Sequence, residues 1–172
     1  MTRPRQQRKS RRACFAQAAF GTLAGLAIVA GIIAPGPLRA SPDDRLVVNS
    51  DTGLAIGGFD PVAYFSRQKA VQGDPQIELM QNGAVWRFVN DGNRAAFADH
   101  PEVYTPRFGG YDPVAIARGV SVPGNALIWA VAGERLYLFY DDKARAEFLA
   151  NPGLVIESAN RKWPEVARSI GR

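Results

Sequence analysis

GFDPVA at residues 58–63 occurs a second time in the chain, as GYDPVA at residues 110–115. Five of the six residues are identical, and the sixth replaces one aromatic residue with another. Residues 86–101 align in the same way with residues 137–152, with six identities in sixteen positions. Unrelated segments of that length would share roughly one. The two matches indicate an internal duplication, with halves 58–109 and 110–172 that fold against each other.

The Asp-Pro pair in each copy predicts the start of a short helix. An Asp side chain accepts hydrogen bonds from the free N–H groups at a helix start, and Pro in the first turn loses no hydrogen bond there. We therefore expect helices over 61–66 and 113–118. Gly119 follows the second of these helices and is expected to end it in a left-handed conformation.

A β-hairpin and a second helix are predicted to follow in each copy. Asn82-Gly83 and Gly133-Glu134 mark the hairpin turns, and the second hairpin, which is more continuously apolar, is expected to be the more buried. The next helices are expected to stop before Pro101 and Pro152. The predicted fold class is α+β, with two repeated helix–β-hairpin–helix halves that form one small domain with an antiparallel sheet.

Other segments are assigned more simply. Residues 41–57 are a lead-in to the domain at 58–172, with turn residues at 49–53. The amphipathic segment 156–170 is predicted to form one or two short helices, because Pro164 interrupts it. The three tryptophans are expected in the core; they are Trp86, Trp129 and Trp163.

Residues 1–40 have the organisation of an export signal. Six basic residues at 3–12 precede an uncharged stretch at 13–38, and Ala40 offers a small residue before a cleavage point. The pair Arg11-Arg12 resembles a twin-arginine signal. The alternative is an uncleaved anchor in the inner membrane, because 13–34 is long enough to span a bilayer. Both alternatives predict a periplasmic or extracellular domain, with membrane contact only through the leader.

Composition excludes two classes of site from the predicted domain. The chain has 21 basic residues, of which seven lie in 1–40, so that 14 remain in 41–172 against 16 acidic residues. A domain without basic excess is not expected to bind nucleic acid. Cys14 is the only cysteine and lies in the leader. Residues 41–172 therefore contain neither a disulfide nor a thiolate metal site.

Several motifs together resemble the YHS-domain family. They are GFDPVAYF at 58–65, NGAVWRF at 82–88, NRAAF at 93–97, PRFGGY at 106–111 and LYLFY at 136–140. The resemblance covers roughly 58–168 and implies a small exported bacterial domain of this layout, most members of which have no assigned reaction. Other YHS modules carry cysteines and are suspected of binding metal. Family members often carry Cys after Gly-Gly-Tyr, where this chain has Asp112, so that thiolate chemistry does not carry over.

Asp60 and Asp112 are the first candidates for a functional site. If an internal two-fold axis brings both carboxylates to one cleft, they are suited to acid–base chemistry or to a hard divalent cation. The favoured interpretation is that each caps a helix, which stabilises the fold by about 1 kcal/mol. The two interpretations differ in whether the carboxylates face each other or the N–H groups of their own helices.

Tyrosines near the two Asp-Pro turns are the second set of candidates. Tyr64, Tyr104 and Tyr111 are expected either to line a small-molecule pocket, with Asp60 and Asp112, or to pack in the core. His100, the only histidine, is a weak metal candidate, and a place at a helix C-terminus accounts for it more simply.

Three functions from different classes follow from these residues. The preferred hypothesis is an exported binding or sensor module that takes an unknown small ligand between its two halves. The alternative is a structural or interaction protein that meets another protein of the cell envelope. The third is a metal-assisted enzyme that uses Asp60, Asp112 and His100. We predict no catalytic residue and no cofactor. The two carboxylates are nevertheless compatible with binding a hard divalent cation.

Overall fold

Residues 45–170 are described by the structure, which is a computed structural model, and all of them belong to one unit. The predicted export signal, the alternative anchor at 13–34 and all seven basic residues of the leader lie outside this range. None of the helices within 45–170 combines the length and the apolar character that a bilayer span requires.

The helices and strands of the described chain fall into two sets, in the order that the Asp-Pro pairs and the turn residues predict. The first set consists of α1 (Ala63–Ser66), β1 (Asp74–Gln81), β2 (Ala84–Phe88), α2 (Asp91–Asp99) and α3 (Pro101–Tyr104). The second set consists of α4 (Pro113–Ala117), β3 (Asn125–Ala132), β4 (Arg135–Phe139), α5 (Asp142–Ala150) and α6 (Pro152–Ser169). A short 3₁₀ turn precedes each set, at Ile56–Gly58 and at Arg107–Gly110.

The fold class is α+β, as predicted, but the expected single sheet is wrong. Strands β1 and β2 form one antiparallel two-stranded sheet, and β3 and β4 form another. The second edge of β2 is already occupied by the lead-in. Ala55 N–H donates to the Val85 carbonyl and Val85 N–H donates to the Gly53 carbonyl, both at 2.9 Å. Residues upstream of the hairpin therefore take the place that the other hairpin was expected to fill.

The two predicted hairpin turns are confirmed. Asn82 and Gly83 have φ values of +51° and +74°, and Gly133 and Glu134 have φ values of +54° and +58°. Two successive left-handed residues define a type I′ turn, whose twist matches that of the flanking strands. The first hairpin has a register irregularity between Asp74 and Glu78, and the second has one between Asn125 and Trp129.

Side-chain caps and a glycine define several of the helix ends. The Asn90 and Asp141 side chains accept from backbone N–H groups three residues later and cap α2 and α5. Gly119 follows α4 with φ of +84°, as predicted. Its N–H donates to the Ile116 carbonyl, and the next N–H donates to Ala115, which together form a Schellman ending.

Two helices differ from the sequence-based expectation. Helix α2 ends at Asp99, before Pro101 as predicted, but Pro101 then begins the further short helix α3. The C-terminal segment forms one continuous helix of 18 residues, with Pro164 inside it. Its amphipathic face explains this continuity, because the burial of that face outweighs the hydrogen bond that Pro164 removes. The buried residues of α6 are Ala159, Trp163, Val166 and Ala167.

Strand β4 supplies side chains to two hydrophobic clusters. Leu136 and Leu138 pack with the first cluster, which contains Trp86 and other residues of the first hairpin. Tyr137 and Phe139 pack with the second cluster, together with residues of α4, α5 and α6. Because successive side chains of a strand point to opposite faces, β4 must be apolar on both faces. This explains its nearly continuous apolar sequence.

The second hairpin is the more buried one, as predicted. Four of the five residues of β4 are buried, against three of five in β2, and β3 has two buried residues whereas β1 has none. Two tryptophans also lie in the core, with Trp86 1% and Trp163 4% exposed. The expectation for Trp129 is met only in part, since its side chain packs against the first hydrophobic cluster but is only partly buried.

Candidate functional site

Asp60 is fully buried and accepts hydrogen bonds with both carboxylate oxygens. Its Oδ1 atom accepts from Val62 N–H at 2.8 Å and from Ala63 N–H at 3.3 Å, at the start of α1. Its Oδ2 atom accepts from Val89 N–H at 2.8 Å and from Asn93 Nδ2 at 2.7 Å. One carboxylate therefore ties the first helix to the end of β2 and to α2.

Asp112 is 2% exposed and has a closely similar arrangement. Its Oδ1 atom accepts from Val114 N–H at 2.8 Å and from Ala115 N–H at 3.3 Å, which caps α4. Its Oδ2 atom accepts from Tyr140 N–H at 2.9 Å, directly after β4. The second carboxylate ties its helix to the end of the neighbouring strand in the same way.

The capping interpretation is confirmed for Asp112, which is the N-cap of α4. Asp60 accepts from the N–H groups at the start of α1 in the same way, but this helix begins at Ala63, later than predicted, and its N-cap is Val62. Each carboxylate faces the N–H groups of its own helix, and its second oxygen is occupied by the strand end. Asp112 contributes to a surface cavity of about 240 Å³ beside Arg118 and Lys143, and Asp60 is not among the residues that line it. The geometry gives both residues a structural role that needs no ligand.

An aromatic groove lies elsewhere, where α1 and α3 meet the second hairpin. It consists of two adjoining cavities of about 400 and 540 Å³, which share Phe65 and Val131. Tyr64, Gln68 and Trp129 complete the first cavity, and the second is completed by Val103, Tyr104, Gly133, Glu134 and Arg135. Two of the predicted ligand-binding residues, Tyr64 and Tyr104, thus come to one groove.

Ring contacts hold the walls of this groove in place. The Tyr64 and Trp129 rings meet edge to face with centroids 5.2 Å apart, and Phe65 and Tyr104 do so at 5.4 Å. Such pairs add about 0.5–1.5 kcal/mol beyond the area they bury. The walls are therefore largely preformed, which lowers the entropic cost of binding a ligand there.

Tyr64 forms the floor of the groove rather than an exposed wall, because it is 0% exposed. Its hydroxyl donates to the Ala126 carbonyl at 2.8 Å, which connects α1 to β3. Burial raises the pKa of the Tyr64 hydroxyl well above its usual value, and the nearby Asp60 charge raises that pKa further. At neutral pH the hydroxyl is a neutral donor that is already occupied by the protein.

Tyr111 and His100 lie outside the groove. The Tyr111 ring packs against Trp163 at 6.1 Å, and burial raises the pKa of its hydroxyl while the Arg45 charge opposes the rise. The His100 side chain is 67% exposed, with Nδ1 3.6 Å from a carboxylate oxygen of Glu102. Residues 45–170 contain no group of three or more His, Cys, Asp or Glu side chains that could hold a metal ion.

Trp129 and Val131 are groove residues that the sequence-based interpretation missed. Trp129 was assigned to the core, and Val131 only to a strand. Strand β3 alternates buried Ala126 and Ala130 with the more exposed Leu127, Trp129 and Val131. Trp129 packs against the cluster that contains Ala126, whereas Ala130 belongs to the other cluster, because the register irregularity between Asn125 and Trp129 interrupts the alternation. No simple two-residue period along β3 therefore identifies Trp129 as a groove residue.

Comparison of the chain with known protein families, with curated proteins and with solved structures finds no match. The function therefore has to be inferred from the residues themselves.

Proposed function

We propose that this protein is an exported binding or sensor module of the YHS type, whose aromatic groove takes a small, largely apolar ligand. The observation that carries the proposal is the pair of adjoining cavities that share Phe65 and Val131. Each cavity has a volume within the range of about 300–1,000 Å³ that is usual for small-molecule sites. Export by the N-terminal leader, into the periplasm or beyond, belongs to the same proposal.

The lining of the groove supports a ligand with one apolar face and few polar groups. Its walls are mainly the side chains of Phe65, Trp129 and Val131, and Gln68 and Arg135 supply polar groups at the edge. A small number of polar groups around an apolar surface is the usual composition of such sites, because the apolar part gives affinity and the polar part orientation.

The duplicated halves belong to the same proposal. Both 58–109 and 110–172 contain a helix, a hairpin and two further helices, and a 3₁₀ turn lies at the start of each half. In both halves a buried Asp ties the helix start to the end of the hairpin. The groove is lined by α1 and α3 of the first half and by the second hairpin. This arrangement supports the proposal of a pocket between two repeated halves.

The proposal assigns no reaction to the protein. Both candidate carboxylates accept backbone hydrogen bonds with each oxygen, and Tyr64 already donates its hydroxyl to Ala126. Binding through shape and apolar contact needs none of these groups to change its protonation state. The protein is therefore proposed as a binding module without a cofactor.

One observation favours the alternative, an interaction with another envelope protein. Leu127 and Val131 are 60% and 40% exposed on β3, with Trp129 between them. Exposed apolar side chains that adjoin on one strand are typical of protein contact surfaces. Trp163 adds nothing to such a surface, because its side chain is buried.

The groove is tested with 8-anilinonaphthalene-1-sulfonate, an aromatic anion that fluoresces in apolar sites. We expect saturable binding to the full-length protein and a change in tryptophan fluorescence, because Trp129 lines the groove whereas Trp86 and Trp163 are buried. The substitution Val131→Glu should weaken dye binding at least about tenfold, since it places a charge in both cavities. Leu127→Glu is the matched control, on the same strand but outside both cavities.

The outcomes separate the two functions. Loss of dye binding in Val131→Glu with retention in Leu127→Glu supports the groove. If the dye does not bind the wild-type protein, or if both variants bind it equally well, the groove proposal fails. A partner recovered with the wild-type protein and lost with both variants favours the interaction surface, because both side chains belong to the exposed strand.

A further inference from the structure

A second cavity, distinct from the aromatic groove, lies between α3, the 3₁₀ turn at Arg107–Gly110 and the start of β4. Its volume is about 250 Å³. Two guanidinium groups, those of Arg107 and Arg135, line it together with the side chains of Asn82, Thr105 and Glu102. Four of these five side chains can donate hydrogen bonds, and only one is acidic.

The two arginines of this cavity lack the carboxylate partners that similar arginines have. Five arginines in residues 45–170 are half-buried. Three of these pair with a nearby carboxylate, and they are Arg87, Arg94 and Arg145. The other two are Arg107 and Arg135, neither of which forms an ion pair with any carboxylate of the described part of the chain.

Hydrogen bonds fix both guanidinium groups without neutralising them. Arg107 Nη2 donates to Asn160 Oδ1 at 3.2 Å, and its side chain lies over the Phe108 ring at 5.3 Å. Arg135 Nη1 donates to the Glu102 carbonyl. Each guanidinium has five N–H donors, so that most of them remain for another acceptor. The positive charges are thus positioned but not compensated.

Both arginines lie near enough to the Tyr137 hydroxyl to influence its pKa. Burial raises the pKa of this hydroxyl, and the positive charges of Arg107 and Arg135, with a hydrogen bond from Arg107, oppose the rise. The two cations therefore produce a combined positive potential around one point beside the cavity. A partly buried positive potential of this kind attracts anions and is screened less than exposed charges are.

We propose that the cavity between Arg107 and Arg135 binds a small oxyanion, either a carboxylate or a phosphate group. The planar fork of a guanidinium matches the paired oxygens of both groups and donates two parallel hydrogen bonds to them. Asn82 and Thr105 supply further donors at the same cavity. This site adjoins the aromatic groove, because Arg135 lines both.

Glu102 provides a control variant whose effect on anion binding should be opposite to that of the arginine variants. It lines the same cavity, and its side chain is 63% exposed. A carboxylate at this place repels an incoming anion, so that Glu102→Gln should strengthen anion binding. The substitution removes a charge from an exposed side chain and leaves its backbone carbonyl, the acceptor for Arg135, unchanged.

The test is calorimetric titration of the full-length protein with inorganic phosphate and, separately, with succinate, at constant ionic strength set by chloride. We expect saturable binding of at least one anion. Arg107→Gln and Arg135→Gln should weaken it about tenfold or more, which corresponds to the loss of one charge-assisted hydrogen bond. Glu102→Gln should tighten it several-fold, and Arg94→Gln, at an exposed ion pair on α2, should leave it unchanged.

Opposite responses of the arginine and Glu102 variants would support the site, even if the arginine variants lose some stability. Absence of binding by both anions, or equal binding by the wild-type protein and Arg107→Gln, would overturn the proposal. The Val131→Glu variant separates the two sites, because it should lose the dye and retain the anion. Phosphate binding without succinate binding, or the reverse, identifies which oxyanion the cavity accepts.

Discussion

At the scale of single residues, Asp60 and Asp112 differ in how many donors they satisfy. With Oδ1 both accept from N–H groups at a helix start. Asp60 Oδ2 accepts from Val89 N–H and from Asn93, whereas Asp112 Oδ2 accepts, among the described residues, only from Tyr140 N–H. A buried donor that loses its acceptor costs about 1–3 kcal/mol. The two aspartates should therefore differ measurably in their contribution to stability.

Replacing each aspartate with asparagine measures that difference. Asn keeps one acceptor oxygen for the N–H groups at the helix start. Its NH₂ group then faces the remaining N–H donors and cannot accept a hydrogen bond from them. We expect Asp60→Asn to lower the free energy of unfolding by about 3 kcal/mol and Asp112→Asn by about 1.5 kcal/mol. Urea denaturation at pH 7 provides the measurement. Equal losses, or a larger loss in Asp112→Asn, would contradict the assigned hydrogen bonds.

Tyr64 predicts how stability depends on alkaline pH. Its folded-state pKa lies above the usual value of 10.0, so that the unfolded chain releases this proton first. Stability from Tyr64 is therefore complete below pH 10 and falls as the pH rises further, by up to about 1.4 kcal/mol per pH unit. Raised pKa values at Tyr111 and Tyr137 act in the same direction.

Removing the Tyr64 hydroxyl isolates its share of this pH dependence. We expect Tyr64→Phe to be less stable than wild type at pH 8, because the bond to Ala126 is lost, and to lose stability less steeply between pH 10 and 11. Tyr140→Phe, at a side chain that is 63% exposed, is the control and should retain the wild-type slope. Urea denaturation across pH 8–11 gives the slopes, and an unchanged slope in Tyr64→Phe would sink the assignment.

At the scale of elements, the two hairpin turns have the same geometry but different residues. The second turn residue is Gly83 in one hairpin and Glu134 in the other, and both have positive φ. A side chain with a Cβ atom is strained in that conformation by about 1 kcal/mol, whereas glycine adopts it freely. Each turn also has one residue with a Cβ atom at positive φ, Asn82 in the first and Glu134 in the second. Because Asn adopts this conformation more readily than Glu does, the second turn stores the greater strain.

Relieving this strain should stabilise the second hairpin. We expect Glu134→Gly to raise the free energy of unfolding by about 0.5–1 kcal/mol. Glu134→Ala is the matched control, because it removes the same charge and keeps the Cβ atom. Thermal and urea denaturation of both variants provide the comparison. If Glu134→Ala stabilises the protein as much as Glu134→Gly does, the effect comes from charge and not from backbone strain.

Local signals predicted the elements well, and long-range pairing is where prediction failed. The Asp-Pro helix starts, the Asn82-Gly83 turn and the Gly119 helix end depend on residues a few positions apart, so the sequence carries them directly. The separate sheets depend on Ala55 pairing with Val85, which no local pattern encodes. The sequence did not identify Trp129 as a groove residue for the same reason, because the burial of a side chain depends on elements that are distant in the chain.

At the scale of the whole molecule, β4 connects the two hydrophobic clusters. Leu138 packs in the cluster of the first hairpin, and Phe139 packs in the cluster of the C-terminal helices. A strand that is rigid and shared by two cores makes the unfolding of either core costly for the other. The described domain should therefore unfold as one cooperative unit, although its two sheets are separate.

A single substitution in β4 tests this cooperativity. Leu138 is 1% exposed, so Leu138→Ala should lower the free energy of unfolding by about 2–5 kcal/mol. Hydrogen exchange of the slowest amides in β2 and in α6 should then accelerate by the same free energy, because both require the same global opening. Leu127→Ala, at a side chain that is 60% exposed, is the control and should change exchange by less than about 0.5 kcal/mol. Faster exchange in β2 with unchanged exchange in α6 would show instead that the two clusters unfold separately, because the first cluster would then open while the second stays folded.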